Sequence, residues 1–157
     1  MKTRKFLAVI LLVCVAILTF ASCGFVGESG DVTVVIESRD GEYTVYKTYL
    51  ENIENKSEGA VGVLEDLSAR ENDPLSLDMV DSTYGAYINS IGGLTPDTAK
   101  GEFISVYTSC EADFGTWEGV GVIEYEGTTL KSSGLGISSM TVTKGVIILF
   151  RIETYPY

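Results

Sequence analysis

The 157-residue chain contains no histidine. That absence removes Ser-His-Asp and Cys-His catalysis, and with them every imidazole ligand for a metal. Cysteine is nearly as scarce. Of the three, Cys14 and Cys23 lie at the start of the chain, which leaves Cys110 as the one thiol in the part that folds. No disulfide between two core cysteines is available, so stability has to come from burial. Three prolines are too few for a polyproline linker or a proline-rich disordered tail. Basic residues are also in short supply: Lys2, Arg4 and Lys5 are three of the eleven, so residues 23–157 hold eight bases against twenty-two acids, a net of −14. A surface of that sign repels phosphate backbones and anionic headgroups, which argues against nucleic acid as a partner and against direct electrostatic attachment to a membrane.

Other chemistry is missing too. Glycine-rich pieces occur, but none has dinucleotide or P-loop spacing between a strand and a helix. Glu124 and Glu126 fall on one face of a strand, where a carboxylate pair is conceivable; they read as two solvated acids. Glu111 and Asp113 lack the alternating ligands of a calcium loop. The expectation is a protein that binds rather than catalyses, without a metal site.

What is present begins with an address. Met1–Lys5 is positively charged, Phe6–Phe20 is apolar apart from Thr19, and Ala21-Ser22 precede Cys23. The apolar run is shorter than the roughly 20 residues of a bilayer span, and the layout is that of a signal peptide. A small-small-Cys ending resembles the lipobox of bacterial lipoproteins, in which the Cys thiol is diacylated and becomes the new N-terminus. The resemblance implies a signal over 1–22, a lipid attached at Cys23 and a protein held on the extracytoplasmic face of the cell membrane. More than one acyl chain is what stable anchoring requires. Gly24–Gly30 reads as a flexible tether, so 23–30 links the anchor to a domain over 31–155.

That domain is rich in strand signals. Val32–Glu37 is β-branched, with Val32, Val34 and Ile36 on one face. Asp40-Gly41 marks a tight turn into a second strand, Tyr43–Leu50. One helix is expected: Ser57 as N-cap, Val61, Leu64 and Leu67 at helical spacing, Arg70 in the last turn, and Asn72-Asp73-Pro74 as the stop. Leu75–Val80 alternates, and Tyr84–Leu94 forms a strand with Tyr87, Asn89 and Ile91 on one side and Ala86, Ile88 and Ser90 on the other, ended by Gly92-Gly93. Phe103–Ser109 and Val146–Ile152 are apolar on both faces, as central strands are. Val120–Tyr125 and Thr128–Leu130 form a hairpin over Glu126-Gly127, and Ser132–Ser139 is a long Ser/Gly loop. The sum is an α+β domain, one helix packed on a mixed or antiparallel sheet.

The order of these pieces resembles the C-terminal domain of transcobalamin and intrinsic factor and its bacterial relatives. Members carry a helix, then a segment like Gly-x-Tyr-hydrophobic-x-Ser-hydrophobic-x-Gly, an aromatic-rich strand, and a Lys-Asp-Gly-type turn into a last apolar strand. Here these are Gly59–Glu71, Gly85–Gly93, Glu102–Tyr107 and Val142–Arg151, so the resemblance spans most of 31–153. It implies a small β-grasp-like fold and a cobalamin or other corrinoid ligand. By position, the family contacts fall on Ile104–Tyr107 and Ser133–Ile137. The candidate ligand contacts are therefore Ile104, Tyr107, Trp117, Leu135 and Ile137, with Gly136 admitting close backbone approach.

Two functions follow as expectations. One is a surface-anchored lipoprotein that captures a corrinoid or similar planar ligand and hands it to transporter components. The other is an envelope accessory module that binds a protein or glycan without corrinoid.

Overall fold

The computed structural model describes residues 30–155. The expected signal peptide, Cys23 and most of the expected tether lie outside the described residues. Among the described residues, eight strands and one α-helix run in the order β1 (Val32–Glu37), β2 (Tyr43–Thr48), α1 (Ala60–Ser68), β3 (Leu77–Ser82), β4 (Gly85–Ile91), β5 (Glu102–Thr108), β6 (Val122–Tyr125), β7 (Thr128–Ser132) and β8 (Ile147–Thr154). Six strands form a mixed sheet in the order β2-β1-β8-β5-β7-β6, curled into a half-barrel, and β3 pairs with β4 in a separate small sheet. The expected α+β class is what the chain adopts.

β1 and β8 are parallel, and every other ladder is antiparallel. Both strands of the parallel pair lie inside the sheet and carry buried residues on both faces, which suits their largely apolar sequence. On one side Val32, Val34, Ile36, Ile148 and Phe150 meet the helix residues Val63, Leu64 and Leu67 in the main core. On the other, Val35 and Leu149 meet Tyr107, Tyr125 and Leu130, brought round by the curled end of the sheet.

The helix is shorter than its periodicity suggests. Ser57 belongs to a 3₁₀ turn, Lys56–Glu58, and makes no cap; the N-cap is Gly59, with φ +58° and ψ −133°. A Cβ at Gly59 would lie 2.8 Å from the carbonyl oxygens of both Ile137 and Met140. Tertiary packing therefore decides where the helix starts, and only glycine satisfies it. Arg70 lies beyond the helix end, 3.8 Å from Asp66. It also donates to the Lys47 carbonyl, while the Thr48 hydroxyl donates to Asp66 at 2.6 Å, so polar contacts tie α1 to β2.

In β4 the expected alternation fails midway. Leu77 faces Ile91 and Asp78 faces Ser90, but Met79 faces Ile88, leaving Asn89 as an extra residue. This β-bulge switches the faces, so Ile88 and Ile91, three apart, are both buried in the main core while Tyr87 is exposed. The grouping of Tyr87 with Ile91 is thereby corrected. Glu126 likewise sits in the β6–β7 turn with φ +48°, away from Glu124, whose carboxylate accepts from the Thr129 hydroxyl at 2.6 Å; the two acids form no pair on one strand face. Cys110 is a free, half-buried thiol packed against the main core.

Candidate functional site

β5 organises the site. Tyr155 donates its N–H to the Gly101 carbonyl at 3.1 Å and Ser109 donates to the Ile147 carbonyl at 3.0 Å. With the β5–β8 register, these fix the backbone groups of the odd residues 103, 105 and 107 toward β8. The even residues turn their N–H and C=O the other way. Glu102 donates to Asp97 and the Val106 carbonyl accepts from Ser133 on that side. β7 reaches β5 only at Tyr107 and Thr108, so among the described residues no strand flanks the middle of β5 on that edge.

Two adjoining hollows open along this edge. The larger, about 500 Å³, is lined by Phe103, Ser105, Tyr107, Trp117, Leu135 and Glu153, among others. The smaller, about 290 Å³, is lined by Tyr87, Ile88, Ile104, Val106, Ile137 and Tyr155, among others. Phe103, Ile104, Val106 and Leu135 contribute to both.

The loops beside β5 are held by specific bonds. Ser133 N–H donates to the Val106 carbonyl at 2.8 Å and Gly134 N–H donates to the Asp113 carbonyl at 2.7 Å. The Ser133 hydroxyl donates to the Leu135 carbonyl at 2.9 Å and accepts from its N–H at 3.1 Å. This closed local pattern leaves the Leu135 side chain at the rim, 42% exposed. Asp113 is buried, and its carboxylate accepts from the Thr141 N–H at 2.6 Å and hydroxyl at 2.8 Å. That use of Asp113 is a brace between two loops. Trp117 folds back over Gly115, where a Cβ would fall 2.1 Å from the indole ring. Phe103 stacks on Tyr155 with centroids 4.4 Å apart.

The polar centre of the larger hollow is the Tyr107 hydroxyl, which donates to Glu153 Oε1 at 2.5 Å. Burial, then this bond and the negative charge of Glu153, push the Tyr107 phenol up to about 12, so it stays a donor. Arg151 stands behind, 3.7 Å from Glu153 and 3.2 Å from Glu37. The arrangement offers aromatic and aliphatic walls with a carboxylate acceptor at one side. It suits an organic ligand with apolar faces and hydrogen-bond donors.

All six sequence-derived contact residues reach this region. Ile104 and Leu135 line both hollows, Tyr107 and Trp117 the larger, Gly136 and Ile137 the smaller. They do not contribute alike. Tyr107 and Ile137 are core residues, 3% and 5% exposed, whereas Trp117 is 51% exposed. Space beyond Gly136 is open, with nothing within 4 Å of a Cβ built there. Sequence reasoning missed Tyr87, Phe103, Glu153 and Tyr155. Phe103 and Glu153 face each other across the β5–β8 ladder; their alternation was legible, but the pairing of the two strands was not. Among the described residues, no group of three or more Cys, Asp or Glu side chains gathers where a metal ion could be held.

No protein-family model matches the chain, and no curated protein matches it. Among solved structures, the chain is similar to a crystal structure from Ruminococcus gnavus ATCC 29149, of a protein provisionally described as metal-binding. The two are 14% identical with a TM-score of 0.52, over 82% of this chain and all of that one. It is also similar to haptocorrin in complex with Cbi, at 15% identity and a TM-score of 0.45, over 83% of this chain and 27% of haptocorrin. This chain thus spans about a quarter of the haptocorrin chain. At these identities the likeness is one of fold.

Proposed function

We propose that this chain is a surface-anchored lipoprotein whose β5 site captures an organic ligand of the corrinoid class for uptake, without catalysing a reaction. The observation that carries the reading is convergence. Residues far apart in sequence, Ile104 and Tyr107 on β5, Trp117 in one loop and Leu135, Gly136 and Ile137 in another, meet at two adjoining hollows. A corrinoid is broad, has apolar ring faces and carries amide donors. The open aromatic rim, with Trp117 and Leu135 exposed beside the Glu153 carboxylate, offers a counterpart to each property. Acylation at Cys23 would hold the domain at the extracytoplasmic face of the membrane, next to the transporter components that would take the ligand onward.

The test is a titration of the purified chain with cobinamide, read by the visible spectrum and by calorimetry. Saturable binding that weakens at least tenfold in Trp117→Ala, about 1.4 kcal/mol, supports the reading. No heat or spectral change at high micromolar cobinamide overturns it.

A further inference from the structure

The middle of β5 carries a second kind of recognition chemistry. Because the even residues of β5 face away from β8, the Ile104 N–H and C=O point along the open edge, and among the described residues no backbone partner meets them. An edge of this kind is a template for another extended chain. The neighbours of Ile104 on that edge are occupied: Glu102 N–H by Asp97, the Val106 carbonyl by Ser133. The opening is thus short, centred on one residue, and flanked by hollows on the two faces of the strand.

We propose that this edge binds an extended, basic peptide segment of a partner protein by adding a strand to β5. A peptide residue paired with Ile104 would exchange both backbone hydrogen bonds with it, donating to the Ile104 carbonyl and accepting from the Ile104 N–H. Its side chain shares the Ile104 face and enters the smaller hollow, walled by Ile88, Val106 and Ile137. The residues on either side point to the opposite face, where Glu153 lines the larger hollow. The charge selects the occupant. A net of −14 over residues 23–157 opposes edge pairing with a second copy and favours a cationic partner. The segment therefore alternates apolar residues with Lys or Arg. This inference rests on the backbone edge and stands apart from the corrinoid reading.

The experiment uses the full chain, ¹⁵N-labelled, with three capped pentapeptides: Val-Lys-Val-Lys-Val, Val-Glu-Val-Glu-Val, and the first peptide with its central valine N-methylated. The expected result is that the basic peptide slows exchange of the Ile104 amide proton at least tenfold. It should also bind about tenfold more tightly than the acidic and N-methylated forms, and Glu153→Gln should remove most of the preference for lysine over glutamate, a difference of order 1.4 kcal/mol. Any of three results overturns the proposal: no binding of the basic peptide at millimolar concentration, saturation without protection of Ile104, or equal binding of the N-methylated form. Cobinamide binding is read separately by its visible spectrum, so either proposal can fail without the other.

Discussion

The Asp113 brace predicts a specific pattern of instability. Its buried carboxylate accepts two hydrogen bonds from Thr141, one from the backbone and one from the hydroxyl, while its own carbonyl accepts from Gly134 in the loop that carries Leu135. Asp113→Ala leaves the Thr141 N–H and hydroxyl without their acceptors in a part-buried setting. An orphaned buried group costs about 1–3 kcal/mol, so the pair should cost about 3 kcal/mol. Asp113→Asn behaves differently. Turned with its oxygen toward the Thr141 N–H and its amide toward the hydroxyl oxygen, it keeps both contacts and loses only their charge assistance, about 1 kcal/mol. Urea unfolding followed by circular dichroism measures both, with m unchanged if only the native state is affected. At about 3 °C per kcal/mol, the alanine variant should melt roughly 10 °C lower. Asp113→Ala within about 0.5 kcal/mol of wild type refutes the brace. Equal losses in the two variants refute the distinction between missing acceptors and missing charge.

Four further outcomes are expected. Gly59→Ala should cost about 3 kcal/mol, from a backbone conformation that disfavours a side chain and from a Cβ 2.8 Å from two carbonyl oxygens, as measured by chemical unfolding. The Tyr107 phenol, held up to about 12, stays protonated in the folded state after an unfolded tyrosine has ionised near 10. Its contribution is therefore complete below pH 10 and falls by about 2 kcal/mol as pH rises toward 12, a loss that Tyr107→Phe should remove from the alkaline stability curve. Glu102 is held down at about 2, first by the Arg39 side chain and then by the Asp97 N–H. It adds stability above about 4.5 that is lost as pH falls through about 2, and carboxyl NMR should show its titration moving upward in Arg39→Ala. Trp117→Ala, by contrast, should leave the melting temperature within about 2 °C of wild type because half of the side chain is already in water, and a large drop would show that the indole is structural.

The strand pattern made most of the fold legible. β5 and β8 each read as apolar on both faces, and they are the two middle strands of the six-stranded sheet. The hairpin at Asp40-Gly41 and the β6–β7 hairpin stand where composition and turn chemistry put them, and the expected helix forms over a shorter span. Errors collected where a distant neighbour sets the local geometry. Ser57 has a good capping side chain, yet the carbonyls of Ile137 and Met140 press on the next turn and move the helix start to Gly59. Asn89 carries no signal of a bulge; the need to bury both Ile88 and Ile91 against the core brings it out.

The candidate site divides in the same way. The sequence by itself determined the chemistry in reach: no imidazole, one thiol in the folded part, acids in excess, and aromatic and aliphatic residues on β5 and in the Ser133–Ile137 loop. It also determined which side chains share a face of β5, because alternation is a local property of extended backbone. Only the tertiary structure decided that β8 brings Glu153 beside Tyr107, that β7 stops short and leaves Ile104 on an open edge, and that Trp117 and Leu135 stand at one rim. Strand order and loop docking follow from the burial of surfaces distant in sequence, which is why no local pattern could announce them.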